Sequence, residues 1–238
     1  MSASIFQNPI PLGNGVQIAA ETIVQKVAPL LTAERRTKIE HVLAARTFTV
    51  SVVLENLYDR GNVSAVLRSA EALGLAHVHV INSGEKFKES QRTTAGADKW
   101  IELERWRSTA ECVAALKKQG QQIVVTHLDA SSRPMDDVDF TLPTALVLGN
   151  EKDGVSKEML AAADKLVILP MAGFVQSYNI SVAGALSFYH IYMDRVRRRG
   201  SQGDLSEAEK EILRAHYYLR TQPSAEDMLR ELVQRKEI

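Results

Sequence analysis

Cysteine is nearly absent from the sequence. Cys112 is the only cysteine among 238 residues, so the chain can form no internal disulfide, and no CxxC pair suggests a structural zinc site. A protein that folds without disulfides fits a reducing compartment, and we expect it in the cytoplasm or within an organelle. Apolar residues make up 45% of the chain, which at this length is enough to bury a core without such cross-links.

Long hydrophobic runs and a signal sequence are also lacking. The longest apolar stretch, residues 166–175, is interrupted by Pro170, whereas a membrane-spanning helix needs about 20 apolar residues. The N-terminus has no basic start followed by an apolar core, as a secretory signal would. We therefore predict no membrane partner and interpret residues 1–31 as a loosely ordered leader.

The chain has no surplus of charge of either sign. Its 29 lysines and arginines balance its 29 aspartates and glutamates, so any attraction to nucleic acid must come from local clusters. The first basic cluster is Arg35, Arg36 and Lys38 on a predicted helix, and the second is Arg195, Arg197 and Arg198 at the end of a longer one. The second could contact phosphates, or it could complement the C-terminal end of its helix dipole.

Several common catalytic motifs are missing. No GxGxxG follows a predicted strand, and neither GxxxxGK[ST] nor GxSxG is present, which argues against dinucleotide-binding, P-loop and serine-hydrolase proteins. His77 and His79 alternate on one predicted strand, but no carboxylate or thiol partner is evident in the sequence. We therefore predict no metal site.

Hydrophobic periodicity predicts alternating strands and helices, which favours an α/β fold with a parallel sheet. We predict strands over residues 48–54, 76–81, 122–128, 145–148 and 166–169, and helices over 32–45, 62–73, 109–119, 157–163 and 177–199. Two charged helices, about 206–219 and 224–236, follow. The predicted domains are the leader 1–31, an α/β domain 32–200 and a helical extension 201–238.

The long predicted helix 177–199 is apolar on most of its sides. One sheet can cover only one side of a helix, so a second chain is a natural cover for the rest. We therefore expect a homodimer.

Three predicted strands end in runs of glycine and small polar residues, at 54–62, 148–154 and 169–179. Ligands bind outside the carboxyl ends of parallel strands, and exposed backbone N–H groups there could hold a nucleotide-like molecule. Taken singly, each run is equally well explained as a turn that the chain geometry requires.

Together and in this order, these segments resemble the SPOUT class of RNA methyltransferases, in particular its TrmH-like branch of tRNA ribose 2′-O-methyltransferases. The motifs that carry the resemblance are NVSAVLRSA at 62–70, LGNEKDGVS at 148–156 and LPMAGFVQSYNISVA at 169–183. The likeness covers about residues 32–200.

The resemblance implies a parallel-sheet SPOUT fold whose C-terminal part forms a deep trefoil knot, flanked here by terminal helices, and a homodimer. It implies that S-adenosylmethionine is the cofactor, and that Arg68 and Asn62 are catalytic. The residues that match its cofactor-binding positions are Leu148, Gly149, Glu151, Ile168, Met171, Ser177 and Asn179. The helical pattern alone places Arg68 away from the apolar stripe, as in an ordinary surface arginine.

The function implied is methyl transfer to a ribose 2′-hydroxyl of tRNA, with guanosine 18 in the D-loop favoured and the basic clusters contacting the RNA. Departures from the branch leave the target nucleoside open, among them Lys38 in place of a helix arginine and the run Arg197–Arg199. Met193 stands where the first of two helix arginines is usual, leaving Arg195 as the second, and Tyr178 replaces an aliphatic residue. The alternatives are another tRNA position, rRNA, or a non-catalytic RNA-binding protein.

Overall fold

The computed structural model describes residues 5–57, 59–82, 96–129, 131–150 and 152–238. The chain divides into two units, one formed by Met1–Arg46 together with Gly203–Ile238, the other by Thr47–Gln202. These boundaries differ from the predicted ones, because helix 33–45 is grouped with the terminal segments and not with the sheet.

The N-terminal segment contains regular structure where the sequence suggested a loosely ordered leader. Strands β1 (Ile10–Pro11) and β2 (Gln17–Ile18) pair antiparallel, and helices α1 (Ala20–Val27) and α2 (Ala33–Ala45) follow. The expectation was wrong for residues 5–31 because the apolar residues of this segment form a buried face once the hairpin and α1 are in place. Thr32 caps α2 as predicted.

The second unit is built on a seven-stranded sheet in which neighbouring strands are parallel. Its strands are β3 (Val50–Glu55), β4 (His77–Ile81), β5 (Glu102–Trp106), β6 (Gln122–Thr126), β7 (Arg133–Pro134), β8 (Thr144–Leu148) and β9 (Lys165–Ile168), in the order β5-β4-β3-β8-β6-β9-β7. The α/β prediction is confirmed. Sequence reasoning missed β5 because its sequence, ELERW, is mostly charged, and β7 because it has only two residues.

Helices cover both faces of the central strands. Helices α3 (Arg60–Ala72) and α6 (Ile180–Arg199) bury their apolar residues in one core cluster, and α4 (Thr109–Lys118) and α5 (Lys157–Ala162) do so in the other. Strands β3 and β8 are buried throughout, as continuous apolar runs in a parallel sheet should be.

Two further helices, α7 (Glu207–Thr221) and α8 (Ala225–Gln234), complete the first unit. The α7 helix packs against α1 and α2, and Arg214 on α7 forms an ion pair with Glu40 on α2, with Nε to Oε1 at 2.6 Å. Within the described ranges, no helix combines the length and the apolar character that a membrane crossing requires.

Candidate active site

A cavity of about 310 Å³ lies at the carboxyl ends of β6, β8 and β9. Its wall comes from three separate stretches of chain, one after each of these strands, the last running into α6. This is the end of a parallel sheet at which ligands bind, and the volume lies within the usual range of small-molecule sites, about 300–1,000 Å³.

The structure brings together most of the residues expected to bind a cofactor. Gly149, Ile168, Met171 and Ser177 line the cavity. Leu148 is the buried last residue of β8, directly before Gly149. Asn179 is the N-cap of α6, between cavity-lining neighbours. The prediction for Glu151 falls outside the described residues.

Of the fifteen residues that line the cavity, eleven were not among the predicted site residues. The unpredicted lining residues are Thr126, His127, Leu128, Asn150, Gly154, Val167, Leu169, Gln176, Tyr178, Ile180 and Ala183. The position of β6 beside β8 brings residues 126–128 to the cavity. A predicted strand ending near residue 128 was the available signal, but sequence alone does not tell which strand ends are neighbours.

The first residue of the loop after β8 must be glycine, because a larger residue has no room there. A Cβ atom on Gly149 would lie 2.3 Å from the carbonyl carbon of Gly154, and Gly154 has a φ of +70°. The N–H of each of Asn150 and Gly154 donates to the carbonyl of the other at 3.0 Å. Asn150 Oδ1 also accepts from the backbone N–H groups of Lys152 and Asp153, at 2.9 and 2.7 Å. These hydrogen bonds join Asn150 to residues 152–154 on the far side of the turn.

The N-termini of α3 and α6 meet beside the cavity. Asn179 Oδ1 caps α6 by accepting from Ser181 N–H at 2.9 Å, and its Nδ2 donates to Asn62 Oδ1 at 3.2 Å. Asn62 lies in the first turn of α3, where Asp59 Oδ1 accepts its backbone N–H at 2.7 Å. A residue predicted to be catalytic thus contacts one predicted to bind the cofactor, where two helix dipoles present positive ends.

Arg68 lies about two turns further along α3 and is exposed. Among the described residues, no hydrogen bond or ion pair holds its guanidinium, and Arg68 is not part of the cavity wall. The structure agrees with the helical pattern that Arg68 points away from the core. Its charge is available to a molecule that approaches from solution.

Comparison with known proteins identifies the family. Residues 49–189 match the model of the SpoU rRNA Methylase family. The chain belongs to this family.

Curated relatives and solved structures agree with this assignment. The chain is 38% identical over 192 residues to the tRNA (guanosine(18)-2′-O)-methyltransferase of Borreliella burgdorferi, covering 81% of this chain and 88% of that protein. It is 37% identical over 166 residues to the Thermus thermophilus protein of the same name, covering 70% of this chain and 86% of that one.

Among solved structures, the A. aeolicus TrmH/SpoU tRNA modifying enzyme has a TM-score of 0.69 and 33% identity, over 77% of this chain and 95% of that one. An AdoMet-bound rRNA methyltransferase from Sinorhizobium meliloti has a TM-score of 0.55 and 25% identity, over 67% of this chain and 59% of that one. These matches confirm the predicted resemblance and that the chain is a methyltransferase of the SpoU family.

The first basic cluster of this SpoU-family chain is exposed on α2. Arg35 and Lys38 line an open groove together with Thr32, Thr37, His41 and one carboxylate, Glu34. No ion pair among the described residues includes a member of the cluster. These cations are free to meet an anionic partner.

Arg195 of the second basic cluster is placed differently from the prediction. Its side chain is fully buried: Nη1 donates to the carbonyl of Phe140 at 2.7 Å, and Nε and Nη2 donate to the carbonyl of Gln202 at 3.1 Å. In this position it cannot contact a phosphate. The reason is helical spacing, because residue 195 shares a face with the buried Phe188 and Ile191.

The other two members of the second basic cluster are exposed but paired. Arg197 Nη2 and Arg198 Nε both donate to Oδ1 of Asp194, at 2.8 and 2.7 Å. Burial alone would raise the pKa of Asp194, but hydrogen bonds from Arg198, Arg197 and the N–H of Phe140 outweigh it and hold that pKa below its usual value. Part of the charge of this cluster is therefore neutralised within the chain.

A buried histidine pair lies away from the cavity, and the structure supplies the carboxylate partner that the sequence did not reveal. Glu104 on β5 contacts His77 on β4, with Oε2 at 3.2 Å from Nε2. Trp106 Nε1 donates to His79 Nδ1 at 3.0 Å, which uses the lone pair that a metal ion would need there. Burial lowers the pKa of His77 to about 4 and that of His79 to about 2, so both are neutral at pH 7.

Proposed function

We propose that the chain transfers a methyl group from S-adenosylmethionine to the ribose 2′-hydroxyl of a tRNA nucleotide, guanosine 18 in the D-loop. The observation that carries the proposal is the contact between Asn179 and Asn62, which joins the loop lining the cavity to the helix that bears Arg68. The names of the curated relatives favour tRNA as the substrate. Methylation of another tRNA position or of rRNA is the second candidate, because Tyr178 and Met193 depart from the guanosine-18 branch.

The cavity suits S-adenosylmethionine in size and in lining. Ile168 and Met171 offer apolar side chains beside the backbone of Gly149 and the hydroxyl of Ser177. With Leu148, Asn179 and Glu151, these are the residues that would hold the cofactor. When bound, the cofactor supplies a methyl group on a positively charged sulfur, which an oxygen nucleophile can attack.

Two residues of α3 would act on the RNA. The ribose hydroxyl must be placed in line with the methyl group. As the bond from the 2′-oxygen to the methyl carbon forms, the bond from that carbon to sulfur would break and S-adenosylhomocysteine would leave, while the hydroxyl proton would pass to solvent water. Arg68 is a poor base because the pKa of a guanidinium is above about 12. We assign it the task of stabilising the negative charge that develops on the 2′-oxygen, directly or through an RNA phosphate. Asn62, oriented by Asn179, would help to place the ribose.

The proposal includes a homodimer built on α6. Four large apolar residues lie at helical spacing on one face of α6, each between 43% and 56% exposed in the single chain: Val182, Leu186, Tyr189 and Met193. An apolar face of this size is typical of the core of a permanent interface. We expect light scattering at micromolar concentration to give the mass of a dimer, and Leu186→Glu to give that of a monomer. A monomeric wild-type protein would contradict this part of the proposal.

The trefoil knot and a cytoplasmic location belong to the same proposal. Three separate stretches of chain, after β6, β8 and β9, contribute to one cavity, as the threading of a knotted C-terminal part would require. The lone buried cysteine, Cys112, is consistent with a reducing compartment.

Replacement of Arg68 by alanine tests the proposed chemistry. We expect single-turnover methylation of tRNA to slow by about a hundredfold or more, since a charge placed at the reacting oxygen is lost. The melting temperature and S-adenosylmethionine affinity should stay close to wild type, because an exposed side chain contributes little to stability. Arg68→Lys should rescue poorly, since a point charge does not reproduce the planar guanidinium.

The matched control is Lys118→Ala, which removes an exposed cation from α4 on the opposite face of the sheet. It should leave the methylation rate unchanged. Mapping the methylated nucleotide in tRNA and rRNA separates the guanosine-18 assignment from the second candidate. Near wild-type turnover by Arg68→Ala would remove Arg68 from the mechanism.

A further inference from the structure

Glu55 is a buried carboxylate on which three hydrogen-bond donors converge. Its side chain is 1% exposed. Oε1 accepts from the hydroxyls of Thr109 and Ser156, at 2.6 and 2.7 Å, and Oε2 accepts from the backbone N–H of Ser156 at 2.8 Å. Burying a carboxylate among apolar strands costs desolvation free energy unless hydrogen-bond donors compensate it in this way. An apolar residue would avoid that cost, which suggests that Glu55 has a role beyond packing.

The position of Glu55 connects it to the cavity. It is the last residue of β3, and its predecessor Leu54 pairs with Leu148 at the end of β8. Glu55 therefore lies one residue beyond that pair on β3, as Gly149 does on β8. It is not itself part of the cavity wall. Any effect of Glu55 on a bound molecule must act through the loop that starts at Gly149.

Glu55 fixes the far end of that loop. The near end is held by β8, and the far end by the two hydrogen bonds from Ser156 to Glu55. Ser156 also caps α5, accepting from Met159 N–H at 3.1 Å. Between these two anchors the Asn150–Gly154 hydrogen bonds keep the loop in one shape. Moving Ser156 would thus displace Gly154, which lies two residues before it and lines the cavity.

We propose that Glu55 is a positioning residue for the cofactor: it holds the 149–156 loop in the conformation that binds S-adenosylmethionine. This inference rests on the proposed function, since it takes the cavity to be the cofactor site. Glu55 does not touch the cofactor, and its role is to fix backbone groups that do. Preorganising such groups reduces the cost of ordering them when the ligand binds.

If Glu55 only stabilised the fold, other buried hydrogen bonds of β3 should affect cofactor binding as much as those of Glu55 do. The same strand offers a matched control for this possibility. Ser51 lies four residues before Glu55 on β3, on the same side of the sheet and toward its other end. Its hydroxyl donates to Gln121 Oε1 at 2.8 Å, and both residues are buried. Ser51→Ala therefore removes a buried hydrogen bond from β3 without touching the loop. Thr109→Val removes one donor to Glu55 and leaves both Ser156 hydrogen bonds.

The experiment compares Glu55→Gln with these two controls. Glutamine keeps the shape of the side chain, but it has one oxygen for three donors and no charge. We expect Glu55→Gln to weaken S-adenosylmethionine binding about tenfold in calorimetry, as the loss of charge-assisted hydrogen bonds predicts. The KM for the cofactor should rise by a similar factor, while kcat at saturating cofactor recovers. Amide hydrogen exchange in residues 149–156 should become faster without any ligand.

The two controls and the wild type make each outcome decisive. Ser51→Ala and Thr109→Val should lower the melting temperature while keeping cofactor affinity within about twofold. Equal losses of affinity in all three variants, or unchanged affinity and loop exchange in Glu55→Gln, would overturn the inference. Failure of the wild-type chain to bind S-adenosylmethionine would instead refute the proposed function, and loop exchange would still report on Glu55. Glu55→Gln is chosen in place of Glu55→Ala because glutamine keeps the volume of the side chain at this buried position.

Discussion

The two basic clusters of the chain use their cations in different ways. The first, on α2, is exposed, and no ion pair among the described residues engages it. In the second, at the end of α6, one arginine is buried and donates hydrogen bonds to backbone carbonyls. The other two both form ion pairs with one buried aspartate. A cation that already neutralises a carboxylate has less charge to offer a phosphate, and a buried one has none. The local density of arginine in the sequence is therefore a poor guide to which cations are left unpaired at the surface.

The largest expected effect concerns Arg195. We predict that Arg195→Ala lowers the free energy of unfolding by about 3 kcal/mol, because it leaves the buried carbonyls of Phe140 and Gln202 without donors. Urea denaturation measures this. Arg199→Ala, which alters an exposed arginine of the same helix, should stay within about 0.5 kcal/mol of wild type. If Arg195→Ala is as stable as wild type but binds tRNA more weakly, the original expectation that Arg195 contacts RNA would be correct.

The next effect concerns the salt dependence of tRNA binding. Replacing the first basic cluster by alanines should reduce the slope of log affinity against log salt by about 2–3, since each phosphate contact contributes roughly 0.7–0.9. Filter binding over a series of salt concentrations measures the slope. The double variant Arg197→Gln with Arg198→Gln should change it by less than about one, because Asp194 already pairs with both side chains. The reverse order of effects would show that the second cluster is the main RNA contact.

The smallest effect is the response of the second cluster to acid. Hydrogen bonds hold the pKa of Asp194 in the folded state below 3.8, so its contribution to stability is present above that pH and is lost as pH falls through the lower folded-state value. Asp194→Asn should cost about 1 kcal/mol at neutral pH. The difference in melting temperature from wild type should shrink below about pH 4. A difference that does not change with pH would mean that the charge of Asp194 contributes nothing.

Most strands and helices of the chain could be predicted from the sequence. Every predicted strand is present within two residues of its expected ends, and the predicted helices within three. Apolar periodicity carries this information because buried strands and helix faces must be continuous. The predictions failed where the apolar pattern was weak. Strand β5 lies at the edge of the sheet, where charged residues are tolerated, so it was not predicted. Because β5 was missed, the contact between Glu104 and His77 was missed as well.

The candidate site could be predicted only as far as the motifs extend. Gly149, Ile168, Met171 and Ser177 do line one cavity, as the resemblance implied. The residues after β6 and the buried carboxylate of Glu55 lie outside those motifs. Glu55 follows an apolar strand as an ordinary turn residue would, and its sequence neighbours give no sign that Thr109 and Ser156 converge on it.

The sequence by itself determined the α/β class, the helix caps and the family, because each depends on residues that are close in the chain or recur in a fixed order. Only the tertiary structure decided which strand ends are neighbours, which arginines are exposed, and what partner each buried charge has. Burial and pairing depend on contacts between residues far apart in sequence: 117 positions separate Asn62 from Asn179, and 101 separate Glu55 from Ser156. The chemistry of the site therefore follows from distances that no local pattern encodes.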